Sequence, residues 1–334
     1  MRMRTLGTSP IEVSELCLGA MHFGTRMEPA QAHELLDHFV DAGGTFIDTA
    51  NNYSFWDEGG VGGESESVLG GWLRERGNRD RMVIATKCGA LPKNLAEGSS
   101  GAGESTSQIA SAGFASAEGL SAAVITSAIE GSLRRLGTDH IDLYYAHIDD
   151  RRVPVAETMG AFARLIEAGK VRAIGCSNFA TWRIAESRAA AETAGTPAYS
   201  AAQFRYTYLR PNPGADLDVQ IAVDNQLRDF CRSNDVTLLA YSPLLQGAYS
   251  RARDQIPADY ASADSDARLD GLAEVAAEVG APATQVVLAW LRQQDPPVIS
   301  LVAAGRPEQL AENVQSLDVT LTDSQMDRLS SARA

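Results

Sequence analysis

The sequence lacks paired cysteines and lacks any long apolar run. Its four cysteines are far apart and form no CxxC pair: Cys17, Cys88, Cys176 and Cys231. Neither a disulfide framework nor a zinc site of closely spaced thiolates is therefore indicated. No apolar run approaches the length of a membrane span, and the opening MRMRTLGTSP has charges with no apolar segment after them. These absences predict a cytoplasmic protein that is neither exported nor inserted in a membrane.

Positive charge is also scarce. Lysine and arginine total 29 against 43 aspartates and glutamates, a formal net charge of −14. Nucleic acids and anionic membranes favour a basic face, so neither is expected as a partner. An anionic ligand must therefore be bound by a local site. The only lysines are Lys87, Lys93 and Lys170, and each merits attention because lysine, unlike arginine, titrates readily when it is buried.

Short apolar segments alternate with longer helical patterns along all 334 residues. This alternation is typical of parallel strands covered by helices. The eight candidate strands lie at 14–19, 45–49, 82–86, 141–146, 171–175, 199–203, 237–241 and 298–302. Eight strand and helix units in a chain of this length favour one α/β domain, residues 1–334, folded as a (β/α)8 TIM barrel. The opening RTLGTSPIEVSEL predicts a β-hairpin, turning at residues 7–10, that covers the bottom of the barrel.

An open dinucleotide-binding sheet is the main alternative fold. It requires a GxGxxG motif directly between a strand and a helix. The nearest match, GVGGES from Gly60, lacks the last glycine and follows no candidate strand. The open sheet is therefore rejected in favour of the barrel.

Four polar residues lie at or after the ends of successive candidate strands. They are Asp48, Tyr53, Lys87 and His147. Taken singly, each has an ordinary structural interpretation: a turn cap, half-buried packing, a solvated lysine or a satisfied histidine. In a TIM barrel, however, catalytic residues lie at the carboxyl ends of the strands. The four together therefore predict one site at one end of the barrel.

The four residue types suit proton transfer to a carbonyl oxygen. A lysine ammonium beside a tyrosine favours the phenolate, so Lys87 is expected to lower the pKa of Tyr53. Asp48 would keep the buried lysine charged, and a neutral His147 would orient or polarise the carbonyl. None of these side chains can deliver hydride to the carbonyl carbon. A nicotinamide cofactor is therefore implied.

The sequence resembles the aldo-keto reductases over nearly its whole length. The matching motifs occur in that family's order: RTLGTSPIEVSELCLGAMHFG, FIDTANNY, GGESESVLG, IATKCG, IDLYYAHIDD, LIEAGKVRAIGCSNF, LLAYSPLLQG and GRPEQLAENV. The resemblance implies a (β/α)8 barrel and reversible reduction of a carbonyl group with NAD(P)H. It also implies a catalytic tetrad of Asp48, Tyr53, Lys87 and His147, with Tyr53 as the general acid.

The same resemblance implies a set of cofactor-binding residues. Ser177, Asn178 and Gln203 would hydrogen-bond the nicotinamide carboxamide, and Tyr241 would stack on the ring. The pyrophosphate would lie against Ser242, Leu244, Gln246 and Gly247, with Arg251 or Arg253 reaching over it. Arg306 would face the adenosine 2′-phosphate. The adenine would lie against Gln309, Glu312 and Asn313. The set is completed by Gly19, Met21 and Asp48. Many relatives have Gly in place of Ala303 and Ser in place of Gly305, so the use of NADH stays open. NADPH is expected, because Arg306 can still offer a charged fork to the 2′-phosphate.

The substrate side is predicted to be aromatic. Phe55 and Trp56 follow Tyr53, and Trp182, Tyr206 and residues of the segment 90–118 would complete a wall. Two low-complexity segments, 88–118 and 245–267, are too long for ordinary connections and are predicted to be functional loops or disordered. Aromatic walls suit apolar aldehydes, sugar faces and polyketide rings alike, and the sequence does not choose among them.

Two other functions stay open. The adenosine-site motif resembles the branch that contains potassium-channel β subunits, so a cofactor-binding regulatory or sensor subunit is the alternative to a reductase. A barrel hydrolase would use Asp48, Asp149 and Asp150 as acid and base, but it leaves Lys87 and Tyr53 without a role. The number of subunits is not indicated by the sequence.

Overall fold

The structure is a computed structural model that describes residues 1–93 and 113–333. Its strands are β1 Met3–Thr5, β2 Glu12–Ser14, β3 Leu16–Gly19, β4 Phe46–Asp48, β5 Val83–Cys88, β6 Ile141–Ala146, β7 Val171–Ser177, β8 Ala201–Arg205, β9 Thr237–Tyr241 and β10 Val298–Val302. Its principal helices are α1 Pro29–Asp41, α2 Glu64–Arg76, α3 Ala122–Leu136, α4 Val155–Glu167, α5 Thr181–Ala194, α6 Asn225–Ser233, α7 Ala263–Val279, α8 Ala283–Arg292, α9 Pro307–Gln315 and α10 Asp323–Ser331. Short 3-10 helices include Arg79–Arg81, Leu245–Ser250, Arg253–Gln255, Ala258–Tyr260 and Ser316–Asp318.

Eight parallel strands close into a barrel in the order β10-β3-β4-β5-β6-β7-β8-β9. The predicted (β/α)8 architecture and all eight predicted strands are confirmed. Three strands run further than the sequence indicated, since β5 extends to Cys88, β7 to Ser177 and β8 to Arg205. These extra residues carry the backbone to the level of the site, so Lys87 lies within its strand.

The helices cover the outside of the barrel with apolar faces that the sequence pattern sets. In α1, Ala32, Leu35, Leu36 and Phe39 recur at steps of three and four residues, and all four are buried. In α3, the Ser121 hydroxyl accepts a hydrogen bond from Val124 N at the first turn. Because the barrel strands are parallel, the chain must return to their amino ends between strands, and these helices carry it there along the outside of the barrel.

The hairpin of β1 and β2 closes the lower end of the barrel, as the sequence predicted. Leu6 and Val13 are fully buried and cluster with inward-facing barrel residues such as Phe46 and Leu143. At the hairpin turn, Gly7 has a φ of +53°, and an added Cβ would lie 2.1 Å from the carbonyl oxygen of Ser200. A residue with a side chain would be strained at this φ, and its Cβ would clash with that oxygen. The turn is therefore fitted directly onto the amino ends of the strands.

Alternation along the strands determines which side chains enter the barrel. Phe46 packs in the inner cluster and Ile47 in the outer layer against the helices. The period of two then places Asp48 inside, one layer above Phe46. The same alternation carries the inner row of β8 from Ala201 to Gln203. The interior is therefore apolar below and polar at the carboxyl ends of the strands.

No single helix within the described residues has the length and apolar character of a membrane span. The helices α7 and α8 meet that test only as a pair, and they are bent by 95° relative to each other.

Candidate active site

The four strand-end residues lie together at the carboxyl ends of the barrel strands. Asp48 is the last residue of β4, Lys87 lies one residue before the end of β5, and His147 directly follows β6. Tyr53 lies on the turn that follows Asp48. Asp48 and Lys87 are fully buried and Tyr53 is 9% exposed. The interior of the barrel thus holds an ionisable group that water barely reaches.

Lys87 is the centre of this group. Its ammonium donates to the Tyr53 hydroxyl at 2.7 Å, to the Thr49 carbonyl at 2.9 Å and to Asp48 Oδ1. These contacts use all three of its donors. The Tyr53 hydroxyl also donates to Asp48 Oδ1 at 3.3 Å, and the other Asp48 oxygen accepts from Gln203 Nε2 at 2.8 Å. One buried carboxylate therefore orients both the lysine and the tyrosine.

The pKa of Tyr53 differs from the expectation. Burial, followed by the charge of Asp48 and its hydrogen bond, raises the Tyr53 pKa well above the usual value of 10. The expected lowering by Lys87 is wrong for this arrangement, because desolvation and the Asp48 carboxylate both oppose the phenolate. Burial also lowers the pKa of Lys87, while Asp48 opposes that shift. Tyr53 is thus a neutral phenol at neutral pH.

His147 lies against Tyr53, with ring centroids 5.9 Å apart at an interplanar angle of 75°. Burial, and then the charge of Lys87, lowers the His147 pKa well below its usual value. Its Nδ1 is buried and has no hydrogen-bond partner among the described residues. A neutral imidazole beside a neutral phenol offers two uncharged donors to one oxygen atom.

The predicted carboxamide-binding residues also lie at strand ends. Ser177 ends β7 and pairs with Gln203 in β8, and Asn178 follows with a left-handed φ of 58°. Asn178 Oδ1 accepts from the Tyr241 hydroxyl at 2.8 Å and from Ile221 N at 3.2 Å. The following helix begins at Thr181, with Ala180 as its N-cap residue. Ser177 and Asn178 therefore do not cap that helix.

The segment after β9 has an unusual backbone. Ser242, Leu245 and Gln246 have φ values of 54°, 46° and 54°, and Gly247 follows at 83°. Non-glycine residues in this conformation are strained, and they cluster at ligand sites. Arg251 lies near this turn, since its Nη2 is 3.9 Å from a Cβ built at Gly247. Leu244, the remaining residue predicted to line the pyrophosphate, is partly buried against the core.

Two predicted cation positions differ in their surroundings. Arg253 forms ion pairs with Asp266 and Asp270 of α7, which occupy its guanidinium. The Arg306 side chain, directly before α9, is 68% exposed and meets only Glu308, at 3.8 Å. Among the described arginines of the predicted phosphate sites, Arg251 has no described ion pair and Arg306 has only this long contact with Glu308.

The residues predicted at the adenine end hold the turn after β10 onto α9. Gln309 Oε1 accepts from Gly305 N at 2.8 Å, and Asn313 Nδ2 donates to the Ala303 carbonyl at 3.2 Å. Glu312 accepts a hydrogen bond from Thr284 in α8 at 2.8 Å. The two positions that depart from many relatives, Ala303 and Gly305, are therefore parts of a turn whose shape α9 fixes. The predicted residues Gly19 and Met21 flank the end of β3, and Met21 is 39% exposed.

Part of the predicted aromatic wall is present. The Trp56 ring packs edge-on against Tyr53 with centroids 6.2 Å apart, and Phe55 lies against Trp56 at 4.9 Å and Phe114 at 5.7 Å. Trp182 is 58% exposed, and the Arg151 guanidinium lies 5.3 Å from its ring centroid. Residues 94–112 of the predicted loop lie outside the described residues.

Tyr206 does not belong to this wall. It follows β8, where Gln203 faces inward, so alternation turns Tyr206 outward. Its ring is 9% exposed and packs edge-on against Trp290 of α8 at 5.8 Å. The predicted substrate contact is therefore corrected to a packing residue between the barrel and the helices.

The hydrolase interpretation does not fit the carboxylates. Asp149 forms ion pairs with Arg183 at 3.2 Å and Arg151 at 3.3 Å. Asp150 pairs with Arg152 at 2.7 Å and accepts from Leu120 N at 3.1 Å. Asp48 is bound to Lys87. None of the three is an open carboxylate able to activate water.

Sequence reasoning missed residues that hold the turn after β4. Glu118 accepts from Asn51 Nδ2 at 2.9 Å and from Gly89 N at 2.7 Å, which joins the turns after β4 and β5. Asp57 joins the same turn to the one after β3 through Arg26. The sequence signal was weak: polar residues in neighbouring βα loops, without a fixed spacing.

Comparison with known proteins agrees with this geometry. Residues 15–334 match the family model described as Aldo/keto reductase family. Norsolorinic acid reductase stcV of Emericella nidulans is 31% identical over 328 residues, which cover 95% of this chain and 77% of that protein. Uncharacterized oxidoreductase YrpG of Bacillus subtilis is 29% identical over 95% of this chain and 91% of its own length, and Aryl-alcohol dehydrogenase GME11368 of Pestalotiopsis microspora is 28% identical over 96% and 79%. The chain therefore belongs to the aldo/keto reductase family, whose members are oxidoreductases that act on carbonyl compounds and typically use a nicotinamide cofactor.

Proposed function

We propose that this protein is an NADPH-dependent carbonyl reductase in which Tyr53 donates a proton to the carbonyl oxygen of the substrate. The observation that carries this proposal is the buried group formed by Lys87, Asp48 and Tyr53 beside a neutral His147. Each member has a definite part in proton donation. Family membership makes carbonyl chemistry the expected reaction.

The residues present fit a nicotinamide dinucleotide. When bound, this cofactor supplies the hydride that no side chain can provide. Ser177, Asn178 and Gln203 offer amide and hydroxyl groups at adjacent strand ends, beside Asp48. The strained turn at Ser242–Gln246, which includes Leu244, is suited to present backbone groups to a pyrophosphate. Gly247 and Arg251 lie next to this turn.

The preference for NADPH rests on Arg306. Its exposed guanidinium, only weakly paired with Glu308, is open to a doubly charged 2′-phosphate. The global charge of −14 repels such a ligand, so a local cation is needed. Gln309, Glu312 and Asn313 of α9 shape the turn on which Arg306 stands.

The charges of the site are arranged for a proton to leave Tyr53. A raised pKa keeps the phenol protonated until the carbonyl oxygen becomes basic. The phenolate that then forms lies 2.7 Å from the Lys87 ammonium, whose charge compensates the new anion. Asp48 keeps that ammonium in place. The neutral His147 ring donates a second hydrogen bond to the carbonyl oxygen of the substrate.

The substrate class follows from the wall beside Tyr53. Trp56 packs edge-on against Tyr53, and the buried Phe55 supports it from behind, so the group beside Tyr53 is aromatic rather than charged. Two of the relatives described above are named for norsolorinic acid and for aryl alcohols. An aldehyde or ketone attached to an aromatic ring is therefore the substrate class that we propose.

Two measurements test the proposal. Binding of NADPH and NADH is titrated by quenching of tryptophan fluorescence. Aromatic aldehydes, aromatic ketones and keto-sugars are then added, and oxidation of the cofactor is recorded from nicotinamide absorbance. Saturable binding with oxidation of NADPH by an aromatic carbonyl is the expected result. Binding without turnover across the panel would favour a regulatory subunit instead. Binding of neither nucleotide would overturn the proposal.

A further inference from the structure

Four polar side chains join the turn that carries Tyr53 to the turn after β3. We call this group the latch: Thr25, Arg26, Ser54 and Asp57. Asp57 Oδ1 accepts from Arg26 Nε at 2.8 Å and lies 2.7 Å from Arg26 Nη2. Asp57 Oδ2 accepts from the Thr25 hydroxyl at 3.0 Å. The Asp57 side chain is only 9% exposed, whereas that of Arg26 is 51% exposed.

The hydroxyl groups of the latch form a directed chain. A carboxylate only accepts hydrogen bonds, so the single Thr25 hydroxyl proton points to Asp57. In the 3.0 Å contact between the Thr25 and Ser54 hydroxyls, Thr25 is then left as the acceptor. The single Ser54 proton is shared between Thr25 Oγ1 and the Met21 carbonyl, to which the Ser54 hydroxyl donates at 3.2 Å. Both acceptors lie on the turn after β3, so the group centred on Asp57 ties Ser54, the residue next to Tyr53, to that turn.

Ser54 holds a conformation that an isolated turn would not keep. It is fully buried, and its φ of 78° lies in the left-handed region. Residues other than glycine adopt this region only where their surroundings enforce it. The latch supplies that enforcement through the Ser54 side chain, and a hydrogen bond from Asp57 N to the Ser54 carbonyl at 2.9 Å supplies it through the backbone.

The latch also brackets the aromatic residues. Phe55 and Trp56 lie between Ser54 and Asp57 in the chain, and the Trp56 ring contacts Tyr53. Both ends of this short turn are thereby tied to the same neighbouring segment. Tyr53 directly precedes Ser54 and Trp56 directly precedes Asp57 in the chain, so a change at Asp57 is expected to shift both rings.

We infer that Asp57 and Thr25 are positioning residues, which hold the Tyr53 hydroxyl in its catalytic orientation and Trp56 in place for the substrate. This inference rests on the proposed function, since it gives Tyr53 the role of acid. The latch touches neither Lys87 nor Asp48 in the described contacts, so its effect passes through the turn. Small displacements of a reacting group lower rates strongly.

Thr25→Val, Thr25→Ser and Asp57→Asn test the inference when kcat, KM for an aromatic aldehyde and the NADPH dissociation constant are measured for each. Thr25→Val and Asp57→Asn are expected to lower kcat by about 10- to 100-fold and to raise KM severalfold. Thr25→Ser keeps the hydroxyl and is expected to restore nearly the wild-type kcat. NADPH affinity should stay within about twofold, because most of its proposed ligands lie on other strands.

Asp37→Asn is the matched control. Asp37 also accepts from an arginine, Arg76, and from a neutral donor, Trp72 Nε1 at 2.8 Å, but it lies on α1 outside the barrel. Its substitution is expected to lower the melting temperature while leaving kcat unchanged. Wild-type kcat and KM in Asp57→Asn, with only the melting temperature lowered, would overturn the inference. Equal loss of kcat in Thr25→Ser and Thr25→Val would also contradict it.

Tyr53→Phe separates this inference from the proposed function. If Tyr53→Phe retains turnover, the assignment of Tyr53 as the acid is wrong, and the latch no longer has an acid to position. If Tyr53→Phe abolishes turnover while the latch variants remain fully active, the acid assignment stands and only the latch inference fails.

Discussion

Replacing Tyr53 by phenylalanine removes one oxygen atom from the centre of the proposed site. That oxygen accepts from the Lys87 ammonium at 2.7 Å and donates to Asp48 at 3.3 Å. The aromatic ring and its edge-on contacts with Trp56 and His147 are retained. The variant therefore tests proton donation with little change in shape.

The magnitude of the effect follows from these contacts. General acid catalysis contributes about 10²- to 10⁴-fold to a rate, so kcat should fall by that factor, equivalent to about 3–5 kcal/mol in the activation barrier. Loss of a buried hydrogen bond to a charged group destabilises the fold by about 2 kcal/mol. The melting temperature should then fall by roughly 2–6 °C. NADPH binding, which uses other residues, should persist.

Steady-state turnover of an aromatic aldehyde, thermal unfolding and NADPH-dependent quenching of tryptophan fluorescence measure the three quantities on one preparation. Tyr199→Phe is the control, because Tyr199 is 3% exposed and its hydroxyl has no partner among the described residues. It should leave kcat unchanged. Turnover of Tyr53→Phe at the wild-type rate, with NADPH bound, would refute the assignment of Tyr53 as the acid.

Three further predictions concern the cofactor, pH and the fold. Arg306→Ala should weaken NADPH binding by about 10- to 100-fold through loss of a charged contact and leave NADH binding nearly unchanged; equal weakening in a fluorescence titration would contradict the 2′-phosphate role. The pKa of His147 is lowered in the folded protein, so just below pH 6.5 only the unfolded chain binds the His147 proton, and the free energy of unfolding falls as pH falls through that value. His147→Gln should flatten this pH dependence in urea unfolding at pH 5–7, roughly the range in which histidine titrates. An unchanged slope would refute the prediction. Gly7→Ala should destabilise the fold by about 2–5 kcal/mol because of left-handed strain and the approach to Ser200. Gly77→Ala, with a similar φ of 58° but nothing within 4 Å, should cost only the left-handed strain, about 1–2 kcal/mol. Similar urea midpoints for the two variants would show that the approach to Ser200 contributes nothing.

The barrel could be predicted from the sequence because its signals are local and repeated. Each strand is a short apolar segment, and each is followed by a helix whose apolar residues recur at three- and four-residue steps. The position of the site follows from the same pattern, because parallel strands bring their carboxyl ends to one end of the barrel. Asp48, Lys87 and His147 were therefore identifiable before their contacts were known.

The properties that sequence reasoning missed depend on geometry across elements. The pKa of Tyr53 is raised rather than lowered because burial and Asp48 outweigh Lys87, and their balance depends on distances that no motif encodes. Tyr206 was misplaced because β8 ends one residue before it, and the side chain's direction reverses with each residue. The contacts of Asp57 join two loops whose relative position only the closed barrel defines.

The hairpin beneath the barrel bears on how the proposed proton donor, Tyr53, would regain its proton. Leu6, Ile11 and Val13 fill the floor, and above them the inward side chains up to Leu143 are apolar and buried. Within residues 1–93 and 113–333 this apolar layer contains no hydrogen-bonded chain that could carry a proton. As the proposed acid, Tyr53 would therefore regain its proton from solvent at the carboxyl ends of the strands, the same end at which the proposed ligands would bind. While substrate and cofactor fill that end, the acid would have one proton to give, and release of the product would let solvent restore it.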